Sequence, residues 1–174
     1  MSVSRAELFA FFDQLGIATE TIEHPPVFTV EESRRERGEL PGGHTKNLFL
    51  KDKKGQIFLV TARESAKIDL KRLHEAIGAS GRLSFGSAEL LLETLGVTPG
   101  SVTCLAVIND KAGRVRMILD EGLMREATIY GHPLTNTATT AIARDDLVRF
   151  LNATNHNPMI VALPAPAEVA AAPA

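Results

Sequence analysis

The chain has 174 residues, of which 44% are hydrophobic and 23% charged, a balance that fits one globular domain and excludes a disordered chain. A single cysteine, Cys104, excludes an internal disulfide framework, and no apolar run approaches the roughly 18 residues of a membrane-spanning helix. The net charge of −2 predicts by itself no polyanionic partner.

Met1 to Ala10 mixes Arg5 and Glu7 with apolar residues, so no export signal is read there and a cytoplasmic location is expected. Ser4-Arg5-Ala6-Glu7 has the form of a capping box, in which hydroxyl and carboxylate bond the first free amides of a helix. Leu8, Phe11, Phe12 and Leu15 follow at helical spacing and Gly16 supplies a stop, which predicts an amphipathic helix over 5–15. Thr21 to Glu23 reads as extended, and Pro25-Pro26 forces a bend. A second capping box, Thr29-Val30-Glu31-Glu32, opens a short helix that Gly38 ends. Pro41-Gly42-Gly43-His44 reads as a flexible loop feeding a strand from Lys46 to Leu50. Asp52-Lys53-Lys54-Gly55 is a tight turn, and Gln56 to Thr61 pairs back as the other arm of a hairpin.

Helical spacing returns at Leu70, Leu73 and Ile77 before Gly78, and again at Leu90, Leu91 and Leu95, between a Ser87 cap and Gly96. Val102 to Ile108 reads as a buried strand, turned by 109–113 into a hairpin partner, Val115 to Leu119. Thr128 to Tyr130 is a short strand ending at Gly131-His132-Pro133, Asp145 to Leu151 a helix, and Met159 to Leu163 a closing strand. Pro164 to Ala174 holds only Ala, Pro, Glu and Val, too biased to pack a core. Hairpins interleaved with single helices predict one mixed α/β (α+β) domain over 1–163, a mixed sheet or open barrel with peripheral helices, followed by a tail over 164–174.

Charge is unevenly distributed. Arg34 to Arg82 holds 12 Lys/Arg against 6 Asp/Glu, so it carries +6 and the remainder −8. Such asymmetry suits either a set of solvated faces or a surface that meets phosphates. Eight Phe, one Tyr and no Trp argue against a platform stacking several bases in succession.

Familiar catalytic signatures are absent. Gly42, Gly43 and Lys46 lack phosphate-loop spacing, with Asn47 where Ser or Thr would stand, and there is no G-x-S-x-G elbow. His24, His44, His74, His132 and His156 are scattered, without a metal-binding pair, and Cys104 in its apolar run reads as an inert buried thiol.

Two segments remain whose residue types suit chemistry. His44 to Leu50 places the Lys46 ammonium at the mouth of a strand, where it either snorkels to solvent or serves as a fixed charge for a phosphate or polarised carbonyl. Tyr130 to Thr139 combines Gly131, which permits close backbone approach, with His132, held extended by Pro133; the alternative is an ordinary hydroxyl-stabilised loop.

Taken together, Lys46-Asn47-Leu48-Phe49-Leu50-Lys51-Asp52, Leu83-Ser84-Phe85-Gly86-Ser87, the run Leu95 to Val102, Ile108-Asn109-Asp110 and the run Gly131 to Thr137 resemble the YbaK/ProX family. These are stand-alone relatives of the editing domain of bacterial prolyl-tRNA synthetase, and the resemblance is greatest to ProX-type (PrdX, ProXp-ala) deacylases, in order from about Phe9 to Leu163. It implies a mixed α/β domain around a distorted barrel that hydrolyses mischarged aminoacyl-tRNA in trans. The ProX-type branch implies Ala-tRNA(Pro) as substrate and the YbaK branch Cys-tRNA(Pro).

Carried onto this chain, the family's lysine falls on Lys46, followed by Asn47, and its glycine-containing substrate loop on Gly131, His132 and Pro133. The expected catalytic residues are therefore Lys46, Gly131 and His132, with Thr45, Asn47 and Pro133 as substrate contacts. Phe28, Val30, Val60, Ile129 and Tyr130 are candidate walls of the aminoacyl pocket and equally explicable as core. No metal or cofactor is expected. The expected partner of a monomer is the acceptor stem of tRNA(Pro), with prolyl-tRNA synthetase open as a second. The alternatives are a Cys- or Ser-tRNA deacylase and a non-catalytic nucleic-acid-binding, even DNA-binding, module, although no helix-turn-helix signature is visible.

Overall fold

The computed structural model describes residues 2–26, 29, 31 and 41–167. The second capping box, and with it Phe28 and Val30, therefore lies outside the described residues.

Helix α1 (Arg5–Gln14) begins as its sequence demands: the Ser4 hydroxyl accepts from the Glu7 amide at 3.1 Å, and the Glu7 carboxylate accepts from the Ser4 amide at 3.2 Å. Strands β1 (Thr19–Glu23), β2 (Gly43–Lys51) and β3 (Ile57–Arg63) follow, then helix α2 (Leu73–Ile77), the two-residue β4 (Ser84–Phe85) and helix α3 (Ala88–Leu95). Strands β5 (Val115–Asp120), β6 (Thr128–Gly131) and β7 (Ala138–Ala143), helix α4 (Arg144–Ala153) and strand β8 (Met159–Val161) complete the order. Gly78 and Gly96 end α2 and α3 in the left-handed region, as their positions after the last apolar residue predict.

The strands form one eight-stranded mixed sheet in the order β1-β7-β6-β2-β3-β5-β8, with β4 paired to β2. Its main core takes Phe12 from α1 and Phe150 from α4, whose rings meet at 5.2 Å, together with Phe49, Ile129 and the 104–108 run. A smaller core on the other side of β2 and β3 holds Leu50, Phe58 and Val60 against Leu73 and Ile77 of α2. Each such burial contributes roughly 1.5–3 kcal/mol. No helix among the described residues is long and apolar enough to cross a membrane.

Three expectations are corrected. Val102 to Ile108 is not a strand: Cys104–Asn109 is a 3-10 helix, begun by the Thr103 hydroxyl, which accepts from the Leu105 amide at 3.2 Å. An apolar run buried on every side fits a strand or a buried helix equally well. Consequently β5 has no hairpin partner and runs parallel to β3 and β8. The glycines before Lys46 are not all loop, because Gly43 and His44 already belong to β2 and pair with Ile129 and Tyr130 of β6 in parallel register. A Cβ at Gly43 would lie 2.9 Å from the Leu123 side chain and 3.0 Å from that of Glu126, so a larger residue there would have to displace both. Strand β7 was not foreseen, since Pro133 to Thr137 hides its start among turn-forming residues.

Candidate functional site

The site grows from a fork in the sheet. Strands β2 and β6 pair only at Gly43–Ile129 and His44–Tyr130, and beyond that point β2 continues against β3. At the crotch the Thr45 hydroxyl donates to the Tyr130 carbonyl at 2.6 Å, holding the residue before Lys46 against the residue before Gly131. Even-numbered residues of β2 turn their backbone groups toward β3, as the His44 carbonyl shows by accepting from the Glu64 amide. Odd-numbered ones face the opening, where the Phe49 carbonyl accepts from the Gly86 amide. The backbone N–H and C=O of Asn47 therefore point into the gap.

Side chains alternate across the strand, so Lys46 projects to the face opposite Thr45 and Asn47. Its ammonium donates to the Ala66 carbonyl, in the loop after β3. One of its three N–H donors is thereby committed and two remain. The Asn47 amide is engaged internally: Oδ1 accepts from the Thr61 hydroxyl at 2.6 Å and Nδ2 donates to the Val102 carbonyl at 3.2 Å. That second bond fixes β2 to the segment carrying Thr103. Thr103 lies under Gly131, where an added Cβ would meet only its hydroxyl, at 3.5 Å, within 4 Å. There is thus room for a Cβ beside Gly131, with the Thr103 hydroxyl as its nearest neighbour.

His132 follows at the end of β6. Its Nδ1 lies 3.1 Å from the Ala138 carbonyl, an acceptor only, so the proton resides on Nδ1 and Nε2 keeps its lone pair. Burial, with the nearby His24 adding to it, holds its pKa below the ordinary 6.5, against the opposing pull of the Ala138 bond. The His24 ring stands 6.5 Å away, with Nδ1 against the Pro25 carbonyl and Nε2 2.9 Å from the Thr139 hydroxyl. Pro133 is buried, and Leu134 after it adopts a left-handed φ of 68°, held by its N–H to the His132 carbonyl at 2.9 Å and by packing on the main core. A bulky residue in that region is strained, as residues of ligand-contacting loops often are.

Tyr130 stacks flat on His44 at 4.3 Å and donates its hydroxyl to the Pro41 carbonyl at 3.0 Å. It also lines a pocket of about 450 Å³ with Glu20, Thr128 and Ala141. Val60 is 0% and Ile129 1% exposed, in the two different cores, so neither side chain offers a wall to a ligand. Burial pushes the Cys104 thiol up to about 12, as an inert cysteine requires. The structure therefore brings Thr45, Lys46, Asn47, Tyr130, Gly131 and His132 to one fork. Thr61, Thr103, the Ala66 carbonyl, His24 and Thr139 were missed, because each is remote in sequence from the groups it serves.

A model of the aminoacyl-tRNA editing domain family matches residues 24–150. The prolyl-tRNA synthetase associated domain-containing protein 1 of Danio rerio is 45% identical over 159 residues, 90% of this chain and 86% of its own length. The prolyl-tRNA editing protein ProX of Acetoanaerobium sticklandii is 37% identical over 151 residues, 86% of this chain and 92% of its own. The crystal structure of a proposed trans-editing enzyme for prolyl tRNA synthetase matches with a TM-score of 0.67 at 20% identity, covering 92% of this chain and 98% of that one. The hypothetical protein APE2540 matches with a TM-score of 0.70 at 18% identity, over 91% and 99% of the two chains. At these identities the two structures establish the fold.

Proposed function

The chain belongs to the aminoacyl-tRNA editing domain family, and from that premise we propose that it is a trans-acting deacylase. It hydrolyses the ester joining an amino acid to the 3′-terminal adenosine of a mischarged tRNA, with Ala-tRNA(Pro) as substrate, acting as a cytoplasmic monomer. The observation that supports this reading most directly is the Thr45–Tyr130 bond, which holds the backbone of β2 just before Lys46 against the backbone of β6 just before Gly131.

An aminoacyl ester is activated, so water attack needs positioning and charge stabilisation more than a strong nucleophile. Lys46, pre-oriented by Ala66, uses its remaining donors on the terminal nucleotide and the ester oxygen that gains charge. The Gly131 N–H holds the aminoacyl carbonyl or amino group. Water adds to the carbonyl carbon and its proton goes to His132 Nε2, or is relayed through the ribose hydroxyl next to the ester, which accepts it while passing its own on. The ester C–O bond then breaks, and the departing ribose oxygen receives the proton from His132 or from that hydroxyl. Asn47 serves the site by anchoring β2 to the 102–103 segment.

Selectivity has a physical motive. A synthetase pocket built for proline rejects the smaller alanine by only about 1–3 kcal/mol, whereas a second pocket too small for proline excludes it outright. The space beside Gly131, next to the Thr103 hydroxyl, is the candidate for such a pocket. The deciding experiment compares hydrolysis of Ala-, Cys-, Ser- and Pro-tRNA(Pro) side by side. Turnover of Ala-tRNA(Pro) with Pro-tRNA(Pro) spared is expected. Preference for the Cys or Ser ester reassigns the substrate, and salt-dependent RNA or DNA binding without any turnover replaces the enzyme with a binding module.

A further inference from the structure

A row of side chains crosses four strands on the face of the sheet turned away from the main core. Glu20 of β1 stands opposite Ala141 of β7, Ala141 opposite Tyr130 of β6, and Tyr130 opposite His44 of β2. Ile129 and Ile142 enter the main core, so by alternation Tyr130 and Ala141 face away from it, and Glu20 beside them is exposed.

The row has a gap. The Tyr130 and His44 rings lie 4.3 Å apart at an interplanar angle of 7°, so His44 covers one face of the phenol. That separation is close to the spacing of neighbouring strands, about 4.8 Å. The two rings therefore stand upright side by side, and the second face of Tyr130 looks over Ala141 toward Glu20. Two strand spacings set Glu20 about 10 Å from Tyr130, and alanine between them is too short to fill the space. The result is the pocket of about 450 Å³ lined by Glu20, Thr128, Tyr130 and Ala141. Among the described residues neither the Glu20 carboxylate nor the Thr128 hydroxyl has a hydrogen-bond or ionic partner. The Tyr130 hydroxyl is spent on the Pro41 carbonyl, so the ring offers the pocket only its face.

We infer that this notch binds a primary alkylammonium group. The face of a tyrosine and a carboxylate both attract a cation, and both repel a phosphate. The span fits as well. An ammonium about 4 Å from the ring face and about 3 Å from a carboxylate oxygen leaves about 3 Å for the Glu20 side chain to cover. Three rotatable N–H donors let it bond Glu20 and Thr128 while still facing the ring. A guanidinium stacked on Tyr130 would aim its donors along the ring plane and past Glu20. Two kinds of molecule carry such a group with no carboxylate of their own for Glu20 to repel. One is an alkyl polyamine; the other is an aminoacyl ester, a source that rests on the deacylase reading.

The chain supplies its own reporter: Tyr130 is the sole tyrosine in a sequence without tryptophan, so tyrosine emission reads this notch alone. The whole protein is titrated with n-butylammonium, spermidine, alanine methyl ester and N-acetylalanine methyl ester, with sodium chloride holding the ionic strength constant. The three amines should give a saturable change in emission, with Kd on the order of 10 mM for n-butylammonium, and the acetylated ester none. Glu20→Gln should weaken binding at least about threefold, and Ala141→Leu, which fills the gap, should abolish it. Thermal unfolding of both variants is compared with wild type first. Tighter binding of spermidine assigns the notch to a polyamine, and tighter binding of the alanine ester assigns it to the α-amino group of the substrate. No saturable change with any amine would overturn the site, as would an equal response to the acetylated ester or in Glu20→Gln. None of these titrations measures hydrolysis, so such a result leaves the deacylase reading standing, and a wild type that hydrolyses no ester leaves the notch to be decided by the emission.

Discussion

The Thr61 hydroxyl, with no solvent exposure, donates to Asn47 Oδ1 at 2.6 Å and so decides which way the Asn47 amide faces. With Oδ1 occupied, Nδ2 is turned to the Val102 carbonyl, and β2, β3 and the segment beneath Gly131 become one unit. Thr61→Val keeps the shape and removes the donor, leaving a half-buried amide oxygen unpaired. We expect a stability loss of about 1–2 kcal/mol in urea unfolding. We also expect a lower kcat for ester hydrolysis with little change in KM, and Thr61→Ser restores both. A Thr61→Val enzyme with wild-type kcat would detach this bond from the site.

Gly131→Ala separates pocket from fold. The added methyl meets only the Thr103 hydroxyl, at an ordinary van der Waals 3.5 Å, and Gly131 is not among the glycines with positive φ. Stability should shift by less than about 1 kcal/mol. If the space beside Gly131 holds the alanyl side chain, the methyl takes that space, and single-turnover hydrolysis of Ala-tRNA(Pro) should fall at least about tenfold, the scale of a one-methylene misfit. Wild-type turnover would move the aminoacyl pocket elsewhere.

His132 sets a pH dependence. Its pKa is depressed below 6.5 in the folded protein, so the unfolded chain binds the proton first as pH falls. The stability associated with a neutral His132 is therefore present above 6.5 and lost as pH drops below it. Unfolding measured at successive pH values should decline more steeply on the acid side for wild type than for His132→Gln. If His132 takes the water proton, the acid limb of the rate profile also lies below 6.5 and disappears in that variant. Parallel stability curves would contradict the depressed pKa.

Away from the fork, His156 Nε2 sits 2.8 Å from Asp110 Oδ2, and both side chains are 1% exposed. The same carboxylate accepts from the Arg114 and Val115 amides at 3.1 and 2.8 Å, so it holds the entry to β5 against the chain after α4. His156→Leu leaves that carboxylate without its side-chain partner and should cost about 3–5 kcal/mol in denaturant unfolding. The fraction that stays folded should retain wild-type hydrolysis. A loss under about 1 kcal/mol would show that the backbone amides alone satisfy Asp110.

Local signals carried the parts of the fold that local chemistry decides. Ser4 with Glu7, Ser87, Gly78 and Gly96 mark helix ends because their partners lie within a turn, and the 52–55 turn fixes its own hairpin. What pairs with β5 is settled at a distance by β3 and β8, and the 102–108 run, buried all round, has no periodicity to tell strand from helix. The site divides in the same way. Lys46, Gly131 and His132 stand out by residue type and family pattern, whereas Thr61, Thr103 and His24 matter only through contacts the sheet creates. Val60 and Ile129 suited a pocket wall by type, yet the sheet turns both into core.

The most direct measurement is the rate of Ala-tRNA(Pro) hydrolysis by wild type and by Lys46→Ala at equal, verified folding. Loss of the ammonium should lower the rate by about 10²–10³, the usual cost of removing a charge-stabilising donor from an acyl-transfer site. Equal rates from the two proteins would contradict the role given to Lys46 and, with it, the chemistry placed at the fork of β2 and β6.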